Sequence, residues 1–261
     1  PRALSAAMID EIVHGYAQAA RRMREAGLDG VELVASHGYL PAQFLSPRVN
    51  RRTDQYGGSE ANRARFVEQV LCAIRAATDE AFVVGLRISA DEREENGLSG
   101  PEALAACQRL EPLLDYVNIT TGTSATLGGA VHIVPPMAYQ NAYLAPDAAR
   151  YRQVLKVPVF VAGRINQPQD AEAVLAAGKA DVCGMTRALI CDPEMPVKAE
   201  AGRTDDIRAC IACNQACIGH FHRGLPISCI QHPETGRELV YGAMVPAKVR
   251  RRVMVVGGGP G

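Results

Sequence analysis

Apolar residues recur at two alternating periods along this chain. Over residues 8–26, Ile12, Tyr16, Ala19, Ala20 and Met23 fall at helical spacing, and Gly27 is a natural stop. The next apolar stretch, 30–34 (GVELV), is short and β-branched, the pattern of a strand buried in a parallel sheet. The alternation then repeats four times: helix 60–78 before strand 82–89, helix 100–111 before strand 116–120, helix 146–155 before strand 158–163, and helix 168–177 before strand 180–185. Five helix-strand units predict an α/β fold with a parallel sheet and helices outside it.

Polar residues separate the two architectures that fit this count. His37, Arg87, Thr120, Arg164 and Arg187 each fall at or near the C-terminal end of a different strand. A β/α barrel gathers all such ends at one mouth, whereas an open doubly wound sheet strings them along an edge. The expectation is a partial (β/α)8 TIM barrel holding about strands four to eight, with the remaining strands before Pro1. Two long segments follow strands on the mouth side and would roof it: 37–62, and 121–144, which carries His132, Tyr139 and Tyr143.

Composition adds exclusions. Lys plus Arg and Asp plus Glu both total 28, so no charge bias points to nucleic acid or an anionic membrane. Apolar residues make up 48%, enough for a sizeable core, and no run is long enough to span a bilayer. With no secretory segment recognised, a cytoplasmic protein is expected. The chain starts at Pro1 and stops at Gly261 inside a glycine-rich run, and so reads as a piece of a longer protein.

The cysteines carry the sharpest chemistry. Cys210, Cys213, Cys217 and Cys229 are separated by two, three and eleven residues. Three thiols within eight residues and a fourth returning after a loop can hold a compact metal centre, since each thiolate offsets part of the metal charge. Zinc usually takes two separated pairs at short spacing; His220 and His222 within the loop keep that alternative in view. A disulfide framework is disfavoured, because Cys72, Cys107, Cys183 and Cys191 are scattered in apolar surroundings. The uneven three-plus-one set fits an iron-sulfur cluster better.

Small residues and arginines close the last two strands: Gly163-Arg164 after one, Gly184-Met185-Thr186-Arg187 after the other. Loops after the last two strands of a barrel recur as phosphate sites, where backbone N–H groups and a bidentate arginine meet the anion. Arg87 sits near the end of an apolar strand and needs an anionic or electron-rich partner, for which a reduced flavin ring is a candidate. At the other end, 252–261 (RVMVVGGGPG) runs an apolar stretch into Gly257 and Gly259, where a dinucleotide fingerprint would begin.

The run GVELVASHGYLPAQFLSPRVNRRTDQYGGSEANRARF, with GLRIS, VFVAGRI, ADVCGMTRALICDPEM and CIACNQAC following in order, resembles the NADH:flavin oxidoreductases of the old yellow enzyme superfamily. It is most similar to their iron-sulfur branch, which includes 2,4-dienoyl-CoA reductase and trimethylamine dehydrogenase. The resemblance implies FMN in the barrel over residues 1–200, a 4Fe-4S cluster over 201–231, a linker over 232–251, and from 252 a domain for FAD and NAD(P)H. It also implies a small-molecule substrate, and leaves room for an electron-transfer partner protein and an oligomer.

In ene-reductases of this superfamily two His or His/Asn side chains, three positions apart, hold the substrate carbonyl. This chain keeps His37 but has Val34 at the first position, where the trimethylamine branch has a tyrosine. The loss of one donor weakens carbonyl polarisation. Tyr39 offers a phenol near the substrate, and His132 a further acid/base or carboxylate-binding group. The chain has no tryptophan for the aromatic cage that ammonium ligands favour, although Tyr39, Tyr139 and Tyr143 can form a partial one. The reading is oxidative N-demethylation of an N-methylated amine or betaine; the alternatives are reduction of conjugated C=C bonds with NAD(P)H and a zinc-stabilised binding module. Arg52, Asp54 and Arg63 are expected to pin the first roof segment by ion pairs.

Overall fold

The computed structural model describes residues 3–242 and 245–257. Contacts divide the chain into two compact units, 1–214 and 215–261.

In the first unit the predicted alternation is found nearly residue for residue. Helix α1 (Ala6–Glu25) starts where the Ser5 side chain accepts from Met8 N and leads into β1 (Gly30–Ala35). A short helix, α2 (Leu40–Leu45), precedes α3 (Glu60–Ala77), whose first turn is capped by Ser59. β2 (Val83–Ser89), α4 (Gly100–Leu110) and β3 (Tyr116–Thr120) follow. Then come α5 (Leu127–Ile133), α6 (Ala145–Val154), β4 (Val159–Ala162), α7 (Pro168–Ala176), β5 (Val182–Gly184), α8 (Thr186–Cys191) and α9 (Met195–Glu200). The five strands pair in parallel and in chain order, β1-β2-β3-β4-β5, with no switch point in the order. A doubly wound sheet reverses its strand order at such a point. This sheet winds in one sense only.

The two sheet faces differ. Leu33 and Ala35 of β1, Val84, Leu86 and Ile88 of β2, Val117 and Ile119 of β3, and Val159 and Val161 of β4 are buried in one core together with Phe66, Val67, Val70 and Leu110 of the helices. The alternate positions form the other face, which carries Glu32, Arg87, Asn118, Tyr116 and Phe160, with Val83 and Val182 exposed. Tyr116 stacks on Phe160 with centroids 4.3 Å apart and lies over Gly85, where a Cβ would come 2.0 Å from the Tyr116 ring. Only glycine leaves room for that ring.

The first roof segment is pinned as expected. Arg52 Nε and Nη2 meet Asp54 at 3.0 and 2.5 Å, and Arg52 Nη1 donates to Leu4 O. Buried Arg63 donates to Leu45 O, Gly58 O and the Glu102 carboxylate. Glu102 also accepts from Ser99 N, so one carboxylate caps α4 and anchors the segment.

The second unit carries α10 (Ile218–His222) and α11 (Glu238–Tyr241). At the segment expected to begin a strand from Arg252, Val253, Val255 and Val256 are exposed and join no ladder among the described residues. Gly257 has a positive φ of 96°, and Gly259 lies outside the described residues. No helix among the described residues is long and apolar enough to cross a membrane.

Candidate active site

The candidate residues stand at the C-terminal ends of the strands, and β1 supplies the first. After Ala35 the chain turns at His37, whose φ of 58° is unusual for a side chain with a Cβ. The turn is held on three sides: His37 N donates to Ser89 Oγ (3.2 Å), Ser124 N donates to His37 O (3.1 Å), and His37 bridges Thr123 in parallel register. A Cβ on Gly38 would sit 2.9 Å from Ser124 Oγ, so glycine lets the two roof segments meet here. His37 Nε2 is buried without a hydrogen-bond partner. Burial first, and the charge of Arg87 second, lower the imidazole pKa to about 4. At neutral pH His37 is therefore uncharged, and an unpaired buried ring nitrogen favours a polar ligand atom in front of it.

Arg87 has the anionic partner its position calls for. Its partner is inside the chain: Glu32 Oε1 accepts from Arg87 Nε at 2.6 Å, and Glu32 Oε2 accepts from Asn118 Nδ2 at 2.9 Å. Strand register explains the trio, since Glu32, Arg87 and Asn118 occupy one face of neighbouring strands. Sequence reasoning missed Glu32, although its place in GVELV, two residues from Val34 on the same face, was the available signal. The carboxylate fixes Nε and leaves both Nη groups without partners among the described residues, in a side chain 37% exposed.

Arg164 and Arg187 take up carbonyls of the second roof segment. Arg164 Nη1 donates to Pro136 O and Tyr139 O, and Arg187 Nη1 donates to Pro135 O (2.9 Å) and Asn214 Oδ1 (2.7 Å). Arg164 has a φ of 53° and a buried Nε with no partner. A Cβ on Gly163 would lie 2.7 Å from Leu144 Cδ1, so the glycine also lets the Leu144 side chain approach this turn. Gly184 is close to Ala162 (3.0 Å to a built Cβ), and Met185 caps α8, ahead of the amides of Thr186 and Arg187.

The second roof segment is partly helical and gathers three rings. His132, on α5, lies 5.1 Å from Tyr139 and 6.2 Å from Tyr143 between centroids; the two tyrosines are 5.5 Å apart. Tyr143 Oη donates to His132 O at 3.2 Å. Burial, then Arg93, lower the His132 pKa, and burial raises that of Tyr143, so both rings are neutral near pH 7. Tyr39 stands elsewhere: 61% exposed, it lines a hollow along the free edge of β1 with Tyr16, Met23, Glu32 and Val34.

The cysteines divide between the units. Cys210 and Cys213 belong to the first, where Ala212 N donates to Cys210 Sγ at 3.4 Å; Cys217 and Cys229 belong to the second, where Ser228 N donates to Ala216 O, closing the loop between their neighbours. All four are half-buried. Among the described residues no three His, Cys, Asp or Glu side chains form a metal-holding group. The donor chemistry of four thiols fits a cluster.

The "Metal reductase" of Desulforamulus reducens is 40% identical over 261 residues, 99% of this chain and 38% of the relative. The N,N-dimethylglycine/sarcosine dehydrogenase of Chromohalobacter salexigens is 40% identical, over 96% of this chain and 37% of its own length. Among solved structures, a 2-naphthoyl-CoA reductase in complex with 2-naphthoyl-CoA superposes with a TM-score of 0.89 at 32% identity, covering 95% of this chain and 38% of that one. The chain thus spans about two fifths of the length of the relatives it matches. The model of the NADH:flavin oxidoreductase / NADH oxidase family matches residues 1–206, on the same helix-strand units that carry His37, Arg87, Arg164 and Arg187, and the chain belongs to that family.

Proposed function

We propose that the whole protein is a flavin-dependent oxidoreductase that oxidises a secondary or tertiary N-methylated amine, such as an N-methylated amino acid, and releases the demethylated amine. The observation that carries this reading is the ring cluster of His132, Tyr139 and Tyr143, combined with Val34 at the place of a second carbonyl donor. Neutral aromatic faces attract an ammonium group, and a single histidine donor supports a carbonyl weakly.

Three observations fit FMN at the strand ends: the unpaired Nη groups of Arg87, the orphaned Nε of Arg164 and the orphaned Nε2 of His37. Arg87 would meet the electron-rich edge of the ring, while Gly163, Arg164 and the amides of Gly184, Met185, Thr186 and Arg187 would line the phosphate end. When bound, FMN would supply an acceptor for hydride from the N-methyl carbon of a secondary or tertiary amine in its neutral form, whose nitrogen lone pair then forms the iminium that water converts to an aldehyde and the demethylated amine. His37, held neutral, donates from or accepts at Nε2 toward the substrate's polar group. Tyr39 at the β1 edge would add a phenol from the opposite side. Cys210, Cys213, Cys217 and Cys229 would hold a 4Fe-4S cluster, whose one-electron chemistry complements the two-electron chemistry of a flavin. Gly257 and Gly259 would open a site for FAD or NAD(P)H.

The unpaired His37 Nε2 favours a second reading, reduction of a conjugated C=C bond with its carbonyl held at that nitrogen. Anaerobic mixing of the full-length enzyme with N,N-dimethylglycine, sarcosine and other secondary or tertiary N-methylated amino acids separates the two. Bleaching of the flavin band is the expected result. No bleaching by any of them, with reoxidation of reduced enzyme by an enoyl-CoA, would transfer the assignment to the second reading.

A further inference from the structure

The segment Val134–Tyr139 is held in an unusual way. Pro135 and Pro136 have no N–H, so this stretch cannot build a ladder, yet its carbonyls need donors. Three successive carbonyls take them from three different places. Val134 O accepts from Asn214 Nδ2 (2.7 Å), Pro135 O from Arg187 Nη1 (2.9 Å), and Pro136 O from Arg164 Nη1 (3.0 Å). Met137 N then donates to Ala212 O at 3.0 Å, and Ala212 is buried. The residues on both sides of Cys213 thus clasp the segment that presents Tyr139 to His132 and Tyr143.

Asn214 joins the parts. Its Oδ1 accepts from Arg187 Nη1 at 2.7 Å while its Nδ2 serves Val134 O, so one amide links the cysteine segment, the first turn of α8 and the second roof segment. Its φ of 57° is a conformation that asparagine tolerates better than most residues. Ala212, at φ 55°, makes the same left-handed turn one residue before Cys213.

We propose that Asn214 is a positioning residue that ties the ring cluster to the fold of the cysteine segment, so that the rings hold their spacing only while that segment is in place. The functional part rests on the reading of those rings as the substrate site. The structural part stands without it.

The experiment uses the full-length holoenzyme with Asn214→Ala and Asn214→Asp. It records amide exchange over 134–143, iron per chain, and kcat and KM with N,N-dimethylglycine. Asn214→Ala removes two hydrogen bonds, one of them charge-assisted, and should speed exchange at Met137 and its neighbours roughly 10- to 100-fold while iron content holds. KM should rise by a similar factor and kcat by much less. Asn214→Asp keeps an acceptor for Arg187 and should fall between wild type and Asn214→Ala. Exchange unchanged over 134–143 in Asn214→Ala overturns the proposal, as does loss of protection throughout the chain in both variants. If wild type fails to turn over N,N-dimethylglycine, the substrate reading fails by itself, and the exchange data still decide the role of Asn214.

Discussion

His37 makes the stability of this fold sensitive to mild acid by a calculable amount. Its imidazole pKa falls from 6.5 to about 4 in the folded chain, mainly through burial and secondly through Arg87. The gap of about 2.5 units corresponds to about 3 kcal/mol at 1.36 kcal/mol per unit. The sign follows from which state takes the proton. Above pH 6.5 both states are neutral and the group contributes nothing that depends on pH. Between 6.5 and about 4 the unfolded chain binds a proton that the folded chain refuses, so the folded state loses stability as pH falls. Below about 4 both are protonated and the loss levels off. His37→Asn removes the titration and tolerates the positive φ of 58°. Urea denaturation of both proteins at several pH values between about 8 and 4.5 isolates the effect, because every other titrating group, His132 included, cancels in the difference. Relative to His37→Asn, wild type should lose about 2 kcal/mol between pH 7 and 5. Parallel pH profiles for the two proteins would refute the argument and place His37 in contact with water or with a proton acceptor.

Further outcomes follow from single contacts. Gly85→Ala drives a Cβ into the Tyr116 ring and should cost roughly 1–3 kcal/mol in urea denaturation, partly recovered when Tyr116→Leu is added, because the clash is with that ring. Glu32→Gln leaves Arg87 without its counter-charge and should raise the flavin reduction potential in a dye-coupled titration of the full-length enzyme; an unchanged potential would place Arg87 away from the ring. Asp54→Ala loses the fork to Arg52 in a side chain 48% exposed, so it should lower stability by about 1 kcal/mol or less and leave turnover unaffected. Cys213→Ser should lower iron per chain, whereas Cys72→Ser, at an exposed helix position, should not.

Much of the wall was legible because its signals are local. The strand at 116–120 matches β3 residue for residue, and the other elements deviate by only a few residues, since period, cap residues and stop signals lie within the segment itself. The Ser99 to Glu102 spacing marks the start of α4 in the sequence. The roof was less legible. Both segments read as loops, yet α2 and α5 are helical, and α5 contains two adjacent glycines that disfavour a helix. Tertiary donors decide it: Thr126 caps Gly129 N, and the downstream carbonyls are fixed by Asn214, Arg187 and Arg164, residues 28 to 80 positions away. No window of sequence contains those partners. The same holds for the site: His37 and Arg87 are visible at strand ends, while Glu32 needs the strand register and Asn214 needs the folded roof. A residue whose role is to join segments leaves its trace only in the contacts, and the two most informative side chains here, Glu32 and Asn214, are both of that kind.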